Sequence, residues 1–474
     1  MDKFTKHICI LFFLFFILAS YANSQDRVTT LRNDEKIMGL SLLWKEAAYN
    51  FAYFQRLPEL DWNQEYASFI PKVLETENDC EYWEILQKFM TLLREGHTKV
   101  IPPENYFINY YQAAKLFPWF VVDFIEDKLY IITVIESLKE EIPLGSEVIE
   151  INDMIIDEYI NTFAFQNSSF FKHTIRRNMI MYLRRFLPET LYPISITIKL
   201  DGKIKRVEID SLLTSTPQYY DKFVHVSKRQ DYPSFTILEN EIGYINLAGK
   251  MDDKLIIFFD SIVPFLKNVK GILIDLRYNF GGTSVGDYMA MHFTKKDKFI
   301  NNHFYTRINN ANNRAFGAYA DSTCIRFIGG PIRHTQHYEY FADNKFEKII
   351  NYSENTIKKD KRILDIPIIF LVNNNVGSAT EDFLIVLNQL EVGTFVGEPT
   401  VGSCTQPLVV MLPGGGVGLI ATQKTMFNES EEFTYISPHY HVRKTLEDIL
   451  TNRDVIFDEG LKILKQQIED KNNK

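Results

Sequence analysis

The run Ile366-Pro-Ile-Ile-Phe-Leu-Val372, followed closely by Val376-Gly-Ser-Ala-Thr-Glu381, admits few folds. A continuous apolar run of this length is a strand covered on both faces, the pattern of a parallel sheet inside an α/β domain. Helical spacing then takes over in Glu381–Leu390, so the intervening turn lifts Ser378 to the end of a buried strand and the mouth of a helix. The first N–H groups of a helix have no intrahelical partner, and they suit an anion formed beside them. A nucleophilic hydroxyl needs that arrangement if an oxyanion is to be stabilised next to it. Serine is also a common helix N-cap, so the turn alone leaves both roles open.

A second strand-to-turn unit lies upstream. Gly271-Ile-Leu-Ile-Asp-Leu-Arg-Tyr-Asn-Phe-Gly-Gly282 is a buried strand that runs into a polar turn closed by two glycines. Such a pair lets backbone approach a ligand closely and aims N–H groups at it, although a tight turn needing positive φ has the same composition. Around these units strands alternate with helices: Gly243–Leu247, Leu255–Leu266, Gly271–Leu276, then Pro367–Val372, Glu381–Leu390 and Thr394–Val396. That order predicts an α/β core with a largely parallel sheet over residues 232–448, followed by a helical tail over 449–474.

The remainder of the chain has a different character. Residues 28–105 read as helical, with apolar positions at helical spacing in Lys36–Phe54 and Cys80–Arg94. Over 106–212 short strands dominate: Trp119–Asp123, Lys128–Ile135, and a hairpin of Ile194–Leu200 with Ile204–Ile209 around Asp201-Gly202. Ile175–Phe186 interrupts them as an arginine-rich amphipathic helix, and Tyr219–Ser234 reads as a linker. Pro413-Gly-Gly-Gly416 is a hairpin turn and not a phosphate cradle, since no Lys-Ser/Thr follows.

Taken together, Asp275-Leu-Arg-Tyr-Asn-Phe-Gly-Gly282, Val376-Gly-Ser-Ala-Thr-Glu381 and Val396-Gly-Glu-Pro-Thr400 resemble the C-terminal-processing (tail-specific) serine peptidases and the tricorn protease core. The resemblance covers most of 232–448 and, more weakly but in order, 85–210. It implies a tail-specific-protease-like α/β catalytic core and makes Ser378 the nucleophile. The oxyanion hole falls to the N–H of Ala379 with that of Gly281 or Gly282. The tail-processing branch carries a lysine base just after the Val-Gly-Glu-Pro-Thr segment. Here that stretch is Val401-Gly-Ser-Cys-Thr-Gln406, with Ser403 in the lysine position and no lysine between Ala379 and Gln423. A serine hydroxyl near neutral pH still needs a base, and histidine titrates in the right range. In the tricorn-like branch it sits in a segment like Leu92-Leu-Arg-Glu-Gly-His-Thr-Lys-Val100, which implies His97. His439 and His441 are the alternatives, with a less matching context. The same branch places a glutamate six residues before a proline; counting back from Pro438 reaches Glu432, which would orient the imidazole, a substrate or a water.

The stretch Pro143-Leu-Gly-Ser-Glu-Val-Ile-Glu-Ile-Asn-Asp153 resembles PDZ domains, with Ser146 and Asp153 replacing the usual aspartate and glycine. A PDZ-like β-rich domain over 106–212 would present a sheet edge to an extended peptide, or serve as a spacer. The expected partner of the whole is a peptide or protein substrate. The other reading is a non-catalytic protein that takes peptides or apolar ligands on the same scaffold.

A net charge of −9 without a lysine-arginine block argues against nucleic acid. Lys3 and Lys6 precede the apolar run Ile8–Ala19, and Ala22-Asn23-Ser24 supplies small residues. These features describe a secretory signal over residues 1–24, and hence an exported chain, secreted or periplasmic, with no membrane span after cleavage. Cys80, Cys324 and Cys404 remain, an odd number at spacings that fit no zinc site. No metal or organic cofactor is expected.

Overall fold

The computed structural model describes residues 31–473 apart from 104–115, 118–119, 163–168, 186–193, 210–212, 215–231, 297, 308–345, 353–361, 364 and 429. The expected signal segment 1–24, the linker up to residue 231 and Cys324 therefore lie outside the described residues.

Among the described residues three helices come first: α1 (Asn33–Asn50), α2 (Trp62–Leu74) and α3 (Asp79–Thr91). Only the first and third were singled out in sequence; α2 also keeps Trp62, Phe69 and Val73 on one buried face, and carries Pro71 in its last turn. Asp61 and Asn78 cap α2 and α3 by accepting backbone N–H bonds, which satisfies donors that the helix itself cannot. Their shared core holds Leu40, Leu43, Trp62, Tyr82, Trp83 and Phe89. Strand β1 (Lys99–Ile101) follows immediately.

The middle of the chain is an antiparallel sheet of β2 (Phe120–Ile125), β3 (Lys128–Val134), β4 (Glu147–Ile151), then helix α4 (Lys172–Arg185), β5 (Ile194–Leu200) and β6 (Lys203–Ile209). The strands pair in the order β2-β3-β4-β5-β6. The β5–β6 hairpin turns at Asp201 (φ 49°) and Gly202 (φ 77°), both left-handed, as a two-residue hairpin loop requires.

The core sheet is built from β7 (Ser234–Leu238) and β8 (Ile242–Asn246), then β9 (Gly249–Met251), α5 (Lys254–Leu266), β10 (Gly271–Asp275), β11 (Asn279–Gly282), β12 (Ile368–Val372), α6 (Ala379–Gln389) and β13 (Thr394–Gly397). The hairpin strands β14 (Pro407–Met411) and β15 (Val417–Ala421), strand β16 (Tyr440–His441) and helix α7 (Val455–Asn472) complete it. In the main sheet the order is β7-β8-β10-β12-β13-β16, antiparallel only between β7 and β8. Period-two alternation sorts each strand between two cores. Ile272, Ile274, Ile368, Phe370 and Val372 face the side carrying α5 and α6, whereas Leu273, Ile369 and Leu371 face α7. The expected α/β class with a largely parallel sheet is what forms. Among the described residues no helix is long and apolar enough to cross a membrane.

One pairing decides where the site lies. Strand β1 joins the edge of the β14–β15 hairpin, with Val100 opposite Gly418. Val410, Leu412 and Ile420 of that hairpin belong to the same core as the N-terminal helices. The loop between α3 and β1 is thereby carried to the segment that follows α6 and β13.

Candidate active site

Strand β12 ends at Val372, and a tight turn delivers Ser378 to the start of α6. Ser378 adopts φ 55°, ψ −131°, a backbone region costly for a residue with a Cβ. Three contacts over-determine it. Its N–H donates to Ser403 O (3.0 Å) and lies 3.2 Å from Glu381 Oε2, while its carbonyl accepts Glu381 N–H (2.7 Å). Glu381 is fully buried and accepts as well from Thr400 Oγ1 (2.5 Å), Gly402 N (2.7 Å) and Ser403 N (3.0 Å). Burial pushes its carboxyl up to about 7, against the pull of those donors from Thr400, Gly402, Ser403 and Ser378. One carboxylate thus ties the serine turn to the loop over residues 400–403.

The glycine turn meets the serine face to face. A Cβ on Gly281 (φ 88°) would lie 2.6 Å from Ser378 Cβ and 2.8 Å from Ala379 N. One on Gly282 (φ 149°) would lie 2.1 Å from Met251 O. Both positions therefore require glycine, for proximity and for backbone conformation. Asn279, fully buried, fastens the turn: its Oδ1 accepts from Gly281 N (3.1 Å) and Thr380 Oγ1 (2.6 Å). The Gly281 N–H is thus already occupied, and among the turn's two proposed oxyanion donors Gly282 carries no such side-chain contact. Asp275 and Arg277 of the same motif are structural. Arg277 bridges Asp275 (2.7 Å) and Asp454 at the start of α7 (2.5 Å).

His97 arrives through the α3–β1 loop. Its Nδ1 is 2.5 Å from Ser403 Oγ, and its backbone N–H donates to Glu95 Oε2 (2.9 Å). Ser403 Oγ also lies 3.0 Å from Glu95 Oε1, and Thr98 Oγ1 donates to Glu95 Oε2 (2.9 Å) while accepting Ala421 N–H (3.0 Å). Burial raises the Glu95 carboxyl, but His97, Thr98 and Ser403 outweigh it and hold it below its ordinary value. Ser403 therefore touches both expected partners, Ser378 through its carbonyl and His97 through its hydroxyl. Asp382 on α6 faces His97 as well; burial pushes this carboxyl up, and it accepts the Cys404 thiol (2.9 Å).

The other expected residues make different contacts. Glu432 is ion-paired with Arg56, whose guanidinium covers the rings of Tyr53 (4.5 Å) and Phe170 (5.1 Å). His439 is exposed, with its ring tilted against that of Phe395, and its Nδ1 accepts the Phe395 N–H (2.8 Å). His441 is exposed on β16. Sequence reading passed over Glu95, Asn279 and Glu381 and took Ser403 only as the residue standing where a lysine would. A carboxylate two residues before the histidine was the available signal.

Helix α4 closes over the same loops. His173 Nε2 lies 2.7 Å from Thr400 O, Thr174 Oγ1 donates to Val401 O (2.6 Å), and Arg177 donates to Asn375 Oδ1 (3.1 Å).

A strand-end serine facing a glycine turn, with a histidine brought in from a distant loop, defines a serine hydrolase type of site. Residues 241–442 match the model of Peptidase family S41, so this stretch is similar to that family of serine-type peptidases. The fold is similar to that of mature CPAF (TM-score 0.64, 15% identity, 92% of this chain and 98% of that one). CPAF complexed with lactacystin superposes equally broadly (TM-score 0.62, 15% identity, 93% and 99%). A putative peptidase from Parabacteroides merdae is 19% identical over 91% of this chain and 96% of its own, with a TM-score of 0.48. No match was found among curated proteins.

Proposed function

We propose that the chain is an exported endopeptidase in which Ser378 attacks a peptide carbonyl and His97 is the general base. The observation that carries this is the double contact of Ser403, which holds the backbone of Ser378 and the ring of His97 within one residue of each other. As the Ser378 Oγ–C bond forms, its proton passes to the imidazole. The carbonyl electrons move onto oxygen, beside the N–H of Ala379 at the open start of α6 and the glycine turn. Collapse breaks the C–N bond, the imidazolium returns the proton to the leaving amine, and water repeats the sequence on the acyl-enzyme. Glu432 would act on substrate or water from its Arg56 pair, and not by a bond to His97. The 106–212 region would receive extended peptide at its sheet edge as a PDZ-like module. Residues 1–24 would be removed on export.

Hydrolysis of an unstructured protein such as casein tests the reading. Ser378→Ala and His97→Ala should retain the wild-type folding transition while losing at least about 10³-fold in kcat. Folded wild type that hydrolyses no peptide under any condition would instead favour a binding role. N-terminal sequencing of protein from the producing cell should begin at or near Gln25, and an intact Met1 form in membranes would contradict export by cleavage.

A further inference from the structure

We infer that Glu95 and Ser403 together position His97, forming a hydrogen-bonded relay that takes the place of a direct carboxylate–imidazole contact. The inference rests on the Ser378–His97 reading and names the residues that make it work.

The argument is one of donors and acceptors. Glu95 is buried, and its Oε2 already accepts two bonds, from His97 N and Thr98 Oγ1. Its Oε1 is 3.0 Å from Ser403 Oγ but 3.7 Å from His97 Nδ1, beyond hydrogen-bond reach of the ring. An ionised carboxylate only accepts, so the single Ser403 O–H must point to Glu95. The hydroxyl then has only lone pairs left for His97 Nδ1, 2.5 Å away, so Nδ1 must carry the ring proton. That leaves Nε2 unprotonated, the state a base needs. When Nε2 takes the Ser378 proton, the imidazolium charge is met by Glu95 through Ser403. No proton need leave Nδ1.

The relay is also rigid. Ser403 N and O are fixed by Glu381 and Ser378, and Thr98 anchors Glu95 to Ala421 on β15. Where the tail-processing branch has a lysine base, this chain has a buried serine that sets a histidine. Ser403 is itself buried, so it is a positioning residue and not a second nucleophile.

The charged groups facing the ring are Glu95 on its own loop and Asp382 from α6, with Lys99 beyond Glu95. The test therefore compares Glu95→Gln, Ser403→Ala and Asp382→Asn with wild type. Glu95→Gln and Ser403→Ala should each lower kcat by about 10²-fold, the scale of a misplaced general base, with KM nearly constant. In Glu95→Gln the acid limb of kcat/KM should move to lower pH; in Asp382→Asn it should move less. Histidine ¹⁵N NMR, with His97 assigned by its loss in His97→Gln, should show the Nδ1–H tautomer in wild type and a mixture in Ser403→Ala. An unmoved limb in Glu95→Gln, or an Nε2–H tautomer in wild type, would overturn the relay. So would a larger shift in Asp382→Asn. Absence of wild-type hydrolysis would instead sink the peptidase reading, so the two failures are distinguishable.

Discussion

Gly281→Ala isolates the close approach on which the site depends. The added methyl would meet Ser378 Cβ at 2.6 Å, Gly377 O at 2.7 Å and Ala379 N at 2.8 Å, and two of these three atoms are backbone. Neither side can yield by rotating a side chain, so the glycine turn and the serine turn must separate. Forcing a Cβ into the left-handed region costs about 1–2 kcal/mol, and overpacking a close-packed site adds about 1–3 kcal/mol. Together they should lower the unfolding midpoint of the catalytic core by several degrees, at about 2–4 °C per kcal/mol for a unit of this size. Gly202→Ala supplies the control. It has a similar φ of 77° with nothing within 4 Å, so it carries the backbone cost alone. Activity should separate the two further. Moving Ala379 N or the turn away from the developing oxyanion costs about 10²–10³ in kcat, whereas Gly202→Ala should leave kcat unchanged. The assay is peptide hydrolysis beside a thermal scan of all three proteins. Equal midpoint losses and equal kcat values for the two variants would refute the claim that Gly281 is fixed by its contact with Ser378.

Two further predictions follow from the charges around the serine. Glu381→Gln places an amide donor against the N–H groups of Ser378 or Ser403, so it should destabilise the core by about 1–3 kcal/mol and reduce kcat. Because burial raises the Glu381 carboxyl to about 7, the native state holds its proton more tightly than the unfolded chain. Its contribution therefore weakens stability as pH rises from about 4.3 through 7. Denaturant midpoints across that range, compared with Glu381→Gln, check the sign. Under the proposed histidine mechanism Lys424→Met should retain most peptide hydrolysis, and its loss in a folded variant would point to a lysine base.

Much of the fold was legible because burial on both faces writes itself into sequence. Strands β10 and β12 are apolar at every position facing either core, and their boundaries fall within a residue or two of those expected. Helix α2 was not singled out although Trp62, Phe69 and Val73 recur on one buried face; Pro71 in its last turn interrupts the pattern. The serine and glycine turns were readable because each needs an unusual backbone, positive φ at Ser378, Gly281 and Gly282. The relay was not readable. Glu95 and Ser403 meet only because β1 pairs with β15, a tertiary choice that no local pattern encodes. The same holds for Glu432, whose partner Arg56 lies in the N-terminal helical region. Spacing from Pro438 can locate a carboxylate, but it cannot say which cation will claim it.

The most direct test of the central claim is the site of covalent capture. Wild-type protein treated with a fluorophosphonate, digested and analysed by mass spectrometry should carry a single phosphonyl adduct on Ser378, formed much more slowly in His97→Ala. An adduct on Ser403 with Ser378 unmodified, or labelling at an unchanged rate without His97, would contradict it.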